Sequence, residues 1–115
     1  DEVFVAVCLD RVVPDAGFAM LAPSPLGNGY TLFCDQVVDA ATLARLDGEL
    51  AVNPQYALAR RLGQLAPLRA FQVGGTGHAA ALAHRSIGRV LGAVKPLALD
   101  RDRGWHQRLP GDYVA

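Results

Sequence analysis

Lys95 is the only lysine in the sequence. A single ammonium beside Pro96 can serve as a point charge on a phosphate, or on a carboxylate that gathers charge during a reaction. The plain alternative is a solvated surface lysine. Gly74-Gly75-Thr76-Gly77 is the second place where residue types suggest chemistry. It separates an apolar run from a helical segment, so its backbone N–H groups and the positive helix end can receive an anion. It lacks the Gly-Lys-Ser/Thr ending of a P-loop and the G-x-G-x-x-G spacing of dinucleotide folds. Its plain alternative is a tight turn with Thr76 as helix cap.

The other reactive side chains form no complete set. Cys8 and Cys34 sit in apolar runs and read as small core residues rather than ligands or nucleophiles. His78 and His84 are six apart and so miss the i, i+4 spacing of a zinc pair, and His106 lies in the tail. A three-histidine metal site is a third functional reading, resting on these residues and the two cysteines alone. Ser24 and Ser86 have no nucleophile-elbow context. Asp100-Arg101-Asp102-Arg103 alternates in sign and is expected to be a solvated, self-neutralising stretch. Trp105 and Tyr113 either anchor the tail or dock on a partner domain.

These residues must be positioned by one domain, because 115 residues leave little room for two. With 51% hydrophobic and 19% charged residues the chain has the composition of a folded core, not of a disordered segment. Eleven basic residues balance eleven acidic ones. That argues against a nucleic-acid surface and against a polybasic membrane module. No apolar run reaches the ~18 residues of a membrane span, and no signal-peptide pattern is present, so the expected location is cytoplasmic. The chain begins at Asp1, which reads as an internal boundary of a longer protein.

Val3 to Leu9 is continuously apolar and β-branched, and it predicts a strand covered on both faces. Segments 18–22 and 30–35 predict a hairpin closed by Pro23-Ser24-Pro25 and Gly27-Asn28-Gly29. Asp39 is a good N-cap for a helix over 40–52, with Leu43, Leu46 and Leu50 as its apolar stripe. Asn53-Pro54 starts a second helix to about Leu62, and Gly63 can end it. A strand over 68–73, expected to be central, precedes a third helix from His78 to about Ile87. The segment 88–115 is expected to be mostly irregular. The predicted fold is α/β (α+β), a mixed sheet of about four strands packed with about three helices. Its expected core is Leu32, Leu43, Leu46, Leu50, Leu62, Phe71, Val73, Leu82 and Ile87.

The order of motifs over about 28–96 resembles the C-terminal domain of the auxin-responsive promoter family. Its members are acyl acid–amido synthetases of the adenylate-forming superfamily. The resemblance runs from Tyr30-Thr31-Leu32-Phe33-Cys34-Asp35, an aromatic strand ending in an acid, through Leu46 to Leu50. It continues into Asn53-Pro54-Gln55-Tyr56 and Arg60, with the family's spacing. Leu65-Ala66-Pro67-Leu68 looks like the family's Gly-Pro-Leu, and Gly75-Thr76 like its Gly-Thr. Gly88 precedes Lys95 by seven, as the family's glycine precedes its lysine. The chain departs from the pattern at Gly77, where the family has an aromatic residue. It departs again at Lys95-Pro96-Leu97, where the family reads Lys-x-Pro-Arg. Residues 1–27 and those from 97 onward match little.

The resemblance implies a lid domain, inactive alone, of an ATP-dependent enzyme that adenylates a carboxylic acid and joins it to an amino acid. ATP and Mg would be bound mainly by an N-terminal adenylation domain of the same chain. Lys95 would be the catalytic cation, and Gly75 and Thr76 would face the cofactor. The competing reading is a free-standing module for a small ligand or a protein that shares the lid's fold.

Overall fold

The computed structural model describes residues 2–25, 27–74, 99–101 and 103–114. The elements in chain order are α1 (Glu2–Val12), β1 (Ala19–Pro23), β2 (Tyr30–Cys34), α2 (Ala40–Leu50), α3 (Pro54–Arg61), β3 (Arg69–Val73), α4 (Trp105–Arg108) and β4 (Gly111–Tyr113). The strands form one mixed sheet in the order β1-β2-β3-β4. β1 and β2 are the expected antiparallel hairpin, with Ala19 opposite Cys34 and Pro23 opposite Tyr30. β2 and β3 run parallel, joined by α2 and α3, and β4 returns antiparallel on β3. β3 is therefore an interior strand, as expected.

The first segment corrects the sequence reading: 2–12 is a helix, not a strand. A continuous apolar run fits either element by periodicity alone, and packing decides. Val5, Cys8, Leu9 and Val12 recur at i, i+3, i+4 and i+7, and all four are buried. Glu2 in the first turn and Arg11 in the last oppose the helix dipole.

The next two helices start where local chemistry says they should. The Asp39 carboxylate accepts the Thr42 N–H at 2.8 Å and the Thr42 hydroxyl at 2.7 Å. Those bonds hold its pKa below the usual carboxylate range. Asn53 Oδ1 accepts the N–H groups of Gln55 and Tyr56, with Pro54 in the first turn. Gly63, at φ 73°, takes the left-handed position just beyond α3.

The sheet is buried on both faces, which is why its strands read as unbroken apolar runs. One face brings Leu21, Leu32, Cys34 and Ala70 against α1 and α2, through Cys8, Leu9, Leu43, Leu46 and Leu50 among others. The alternate residues Met20, Ala22, Phe33, Phe71 and Val73 meet Phe18, Trp105 and Leu109 on the other face. From Leu99 on, the described residues of the tail form a strap and not the mostly irregular segment expected. Leu99 bridges Leu21 at the β1 edge, and Asp100 N–H donates to Leu21 O. Trp105, 1% exposed, then packs into the second face, and β4 closes on β3. Trp105 anchors the tail as the first of its two readings had it.

Six of the nine expected core residues are buried: Leu32, Leu43, Leu46, Leu50, Phe71 and Val73. Leu62 is a correction at 58% exposed, because α3 has ended and turned outward there. Leu82, Ile87 and the helix predicted at 78–87 lie outside the described residues.

Candidate functional site

β3 ends at Val73, and Gly74 leads directly to Gly75 and Thr76, which lie outside the described residues, as does Lys95. Their predicted roles therefore have no geometry to report. What is described is the frame from which that loop leaves. β2 and β3 are parallel and in register from Thr31 opposite Arg69 to Cys34 opposite Gln72, so their carboxyl ends share one edge. In open α/β sheets this edge is where ligands gather. At β2's end the exposed carboxylate of Asp35 accepts the Gly17 N–H at 3.1 Å. A Cβ on Gly17 would stand 2.6 Å from Asp35 Oδ2, so glycine is what permits that approach. At β3's end Gly74 N–H donates to Pro110 O at 2.7 Å, which ties the end of β3 to the strap.

The motif residues Tyr56 and Arg60 converge on one carboxylate that the sequence reading did not single out. Asp47, on α2, accepts the Tyr56 hydroxyl at 2.6 Å and Arg60 Nε at 2.9 Å, both on Oδ1. Arg60 Nη1 also donates to Leu65 O at 3.1 Å, in the turn that leads to β3. Asn53 caps the same helix. The cluster clips α3 to α2 and fixes the path into β3. Burial pushes Asp47 toward protonation, but the bonds from Arg60 and Tyr56 and the Arg60 charge outweigh it and hold its pKa below the usual carboxylate range. Burial, and after it the bond to and charge of Asp47, push the Tyr56 phenol well above its usual range. The bond to Asp47 raises Arg60 further. All three groups stay in the ionisation states that make the clip. No sequence signal marks Asp47, because its partners are nine and thirteen residues away across a helix break.

The remaining candidates fall into structural places. Cys8 and Cys34 are free and buried, and burial raises both thiols, so they are core residues as read. The Ser24 and Thr31 hydroxyls pair with each other at 2.9 Å beneath the hairpin. Arg103 corrects the expectation of a wholly solvated stretch: its Nη1 donates to Ser24 O at 2.9 Å and to Gly27 O at 3.2 Å. His106 Nδ1 is buried without a hydrogen-bond partner among the described residues. His78 and His84 lie outside the described residues. Among the described residues no group of three or more His, Cys, Asp or Glu side chains is placed to hold a metal ion, and no helix is long and apolar enough to cross a membrane.

On the helix-covered side an apolar groove of about 340 Å3 opens between α1 and α3, lined among others by Phe4, Leu21, Tyr30, Leu50, Tyr56 and Leu99. No family model matches this chain, and neither does any curated protein with which it was compared.

Proposed function

We propose that this domain is the cytoplasmic C-terminal lid of an ATP-dependent acyl acid–amido synthetase, an adenylate-forming ligase. The observation that carries the reading is the pairing of Tyr56 and Arg60, on the helix that Asn53 caps, with Asp47. The residues that carry the resemblance are one physical unit, and that unit steers the chain into β3 and so toward Gly75 and Thr76. The mixed sheet with helices on it is a frame consistent with a mobile lid.

In this reading ATP, when bound, would supply the adenylyl group that activates the carboxylic acid, with pyrophosphate leaving. ATP and Mg would be held mainly by the N-terminal adenylation domain. The domain's own part is charge and closure. Lys95 brings a cation to the reacting phosphate, where positioned charge stabilises the transition state. Gly75 and Thr76 offer backbone N–H groups and a hydroxyl to the nucleotide. Closing the lid excludes water before the amino acid attacks.

The test is Lys95→Ala in the full-length enzyme, followed by ATP–pyrophosphate exchange. The expected result is slower acyl-adenylate formation with ATP binding largely kept. Exchange equal to wild type removes the catalytic role of Lys95. The second reading, a small-ligand module, is favoured by the groove beside Tyr30 and Tyr56. A native species near 12.2 kDa in the source cells selects it, and a species several-fold larger selects the ligase.

A further inference from the structure

The opposite edge of the sheet carries a second feature, which does not depend on the ligase reading. Beneath the β1–β2 loop lies a small pocket of about 150 Å3, lined by Ser24, Gly27, Asn28, Gly29, Pro67 and Arg69 among others. By the ~30 Å3 that a water occupies in the liquid, it holds about five waters. That suits one oxyanion group. Glycines line a pocket only with backbone, so Gly27 and Gly29 present peptide groups to it. The loop is held in shape from two sides. The Asn28 side chain donates to Gln64 O, and Arg103 bonds Ser24 O and Gly27 O.

Among the described residues no ion pair compensates the charge at this edge. Arg69 is exposed, and its guanidinium stacks 3.9 Å from the centroid of the Tyr113 ring. The ring orients the guanidinium without neutralising it. Among the described residues neither Arg69 nor Arg103 has an acidic partner. The carboxylate next in sequence to Tyr113, Asp112, accepts the Tyr113 N–H at 2.7 Å. Two guanidinium groups thus flank a loop that faces the pocket with backbone, and no carboxylate is among the described lining.

We propose that this pocket binds a small oxyanion, with Arg69 as the principal donor and the Gly27-Asn28-Gly29 backbone completing the site. A guanidinium fork suits phosphate and carboxylate alike, so the shared chemistry is a terminal oxyanion. The test is amide NMR of the 115-residue chain, titrated with inorganic phosphate and separately with acetate, against chloride at constant ionic strength. The expected result is saturable shifts at Gly27, Asn28 and Gly29 at about millimolar anion. The anion that saturates at the lower concentration identifies the source as phosphoryl or carboxylate. Arg69→Ala is expected to weaken binding about tenfold or more, and Arg69→Lys, which keeps charge without the fork, by less. Absence of saturation with both anions, or shifts spread evenly over exposed amides, overturns the proposal. So does unchanged affinity in Arg69→Ala whose remaining spectrum is that of the wild type. If that variant does not fold, the wild-type titration decides alone.

Discussion

Removing one carboxylate, in Asp47→Ala, should loosen the whole path from α2 to β3. Two bonds end on a single oxygen: Tyr56 OH at 2.6 Å and Arg60 Nε at 2.9 Å. A buried hydrogen bond to a charged group contributes about 1.5–3 kcal/mol, and an exposed ion pair about 0.2–1 kcal/mol. The Arg60 and Asp47 side chains are 26% and 33% exposed, so the pair lies between these limits. Two bonds sharing an acceptor are not additive. The discounted sum is about 2 kcal/mol. For a chain of this length each kcal/mol moves the melting temperature by about 4 °C, so a fall of about 8 °C is expected. Thermal melts of wild type and variant measure it. The reasoning fails if the variant melts within about 2 °C of wild type. A cycle with Tyr56→Phe and Arg60→Met tests the shared acceptor. If their effects add fully to that of Asp47→Ala, the three residues are not one unit.

The same pair carries a pH signature. Asp47 has a depressed pKa in the folded state, so the unfolded chain binds its proton first as pH falls. Its stabilisation is complete above the unfolded value of about 3.9 and is lost as pH drops through the lower folded value. The difference in melting temperature between wild type and Asp47→Ala should hold steady from neutrality to about pH 5 and shrink below about pH 4. Asp39 is depressed as well, but it is present in both proteins and cancels from the difference.

Two further outcomes probe the strap. Trp105→Ala should destabilise the fold by about 3–5 kcal/mol, the usual cost of truncating a buried aromatic; a chemical-denaturation loss under about 1 kcal/mol would mean that the strap is dispensable. Gly111 has φ 134°, and a Cβ there would lie 1.9 Å from Gln72 O. Gly111→Ala should therefore peel β4 from β3, and hydrogen exchange should show Gly74 and Val114 N–H losing protection from Pro110 O and Ala70 O while α2 is unchanged.

Whatever local chemistry determines was legible. Asp39 and Asn53-Pro54 mark helix starts because a side-chain oxygen or a missing N–H acts within three residues. The hairpin showed through its turn residues, and Leu43, Leu46 and Leu50 through their period. The first segment was not legible, because Val-Phe-Val-Ala-Val-Cys-Leu satisfies a strand and a buried helix equally. Its stripe settles as a helix only when α2 and the sheet are there to meet it. The tail misled for a different reason. A strap that crosses a sheet face needs few large side chains, and Trp105 and Leu109 suffice amid glycine, proline and charge. Composition averaged over such a segment hides the residues that hold it.

The site divides along the same line, and the division bears on function. Asn53, Tyr56 and Arg60 carried the resemblance by spacing, and their spacing has a mechanical cause: each meets its partner only if α3 starts at Pro54 and lies against Asp47. Spacing of that kind speaks for a shared fold and says little about a reaction. The chemical content of the ligase reading rests instead on the identities of Lys95, Gly75 and Thr76, which lie outside the described residues. A variant that breaks the clip should therefore lower stability first and activity only through it. Lys95→Ala should lower pyrophosphate exchange with the melting temperature unmoved. If Asp47→Ala and Lys95→Ala lose exchange in proportion to lost stability, charge at residue 95 is not acting on the phosphate, and the resemblance reaches no further than the fold.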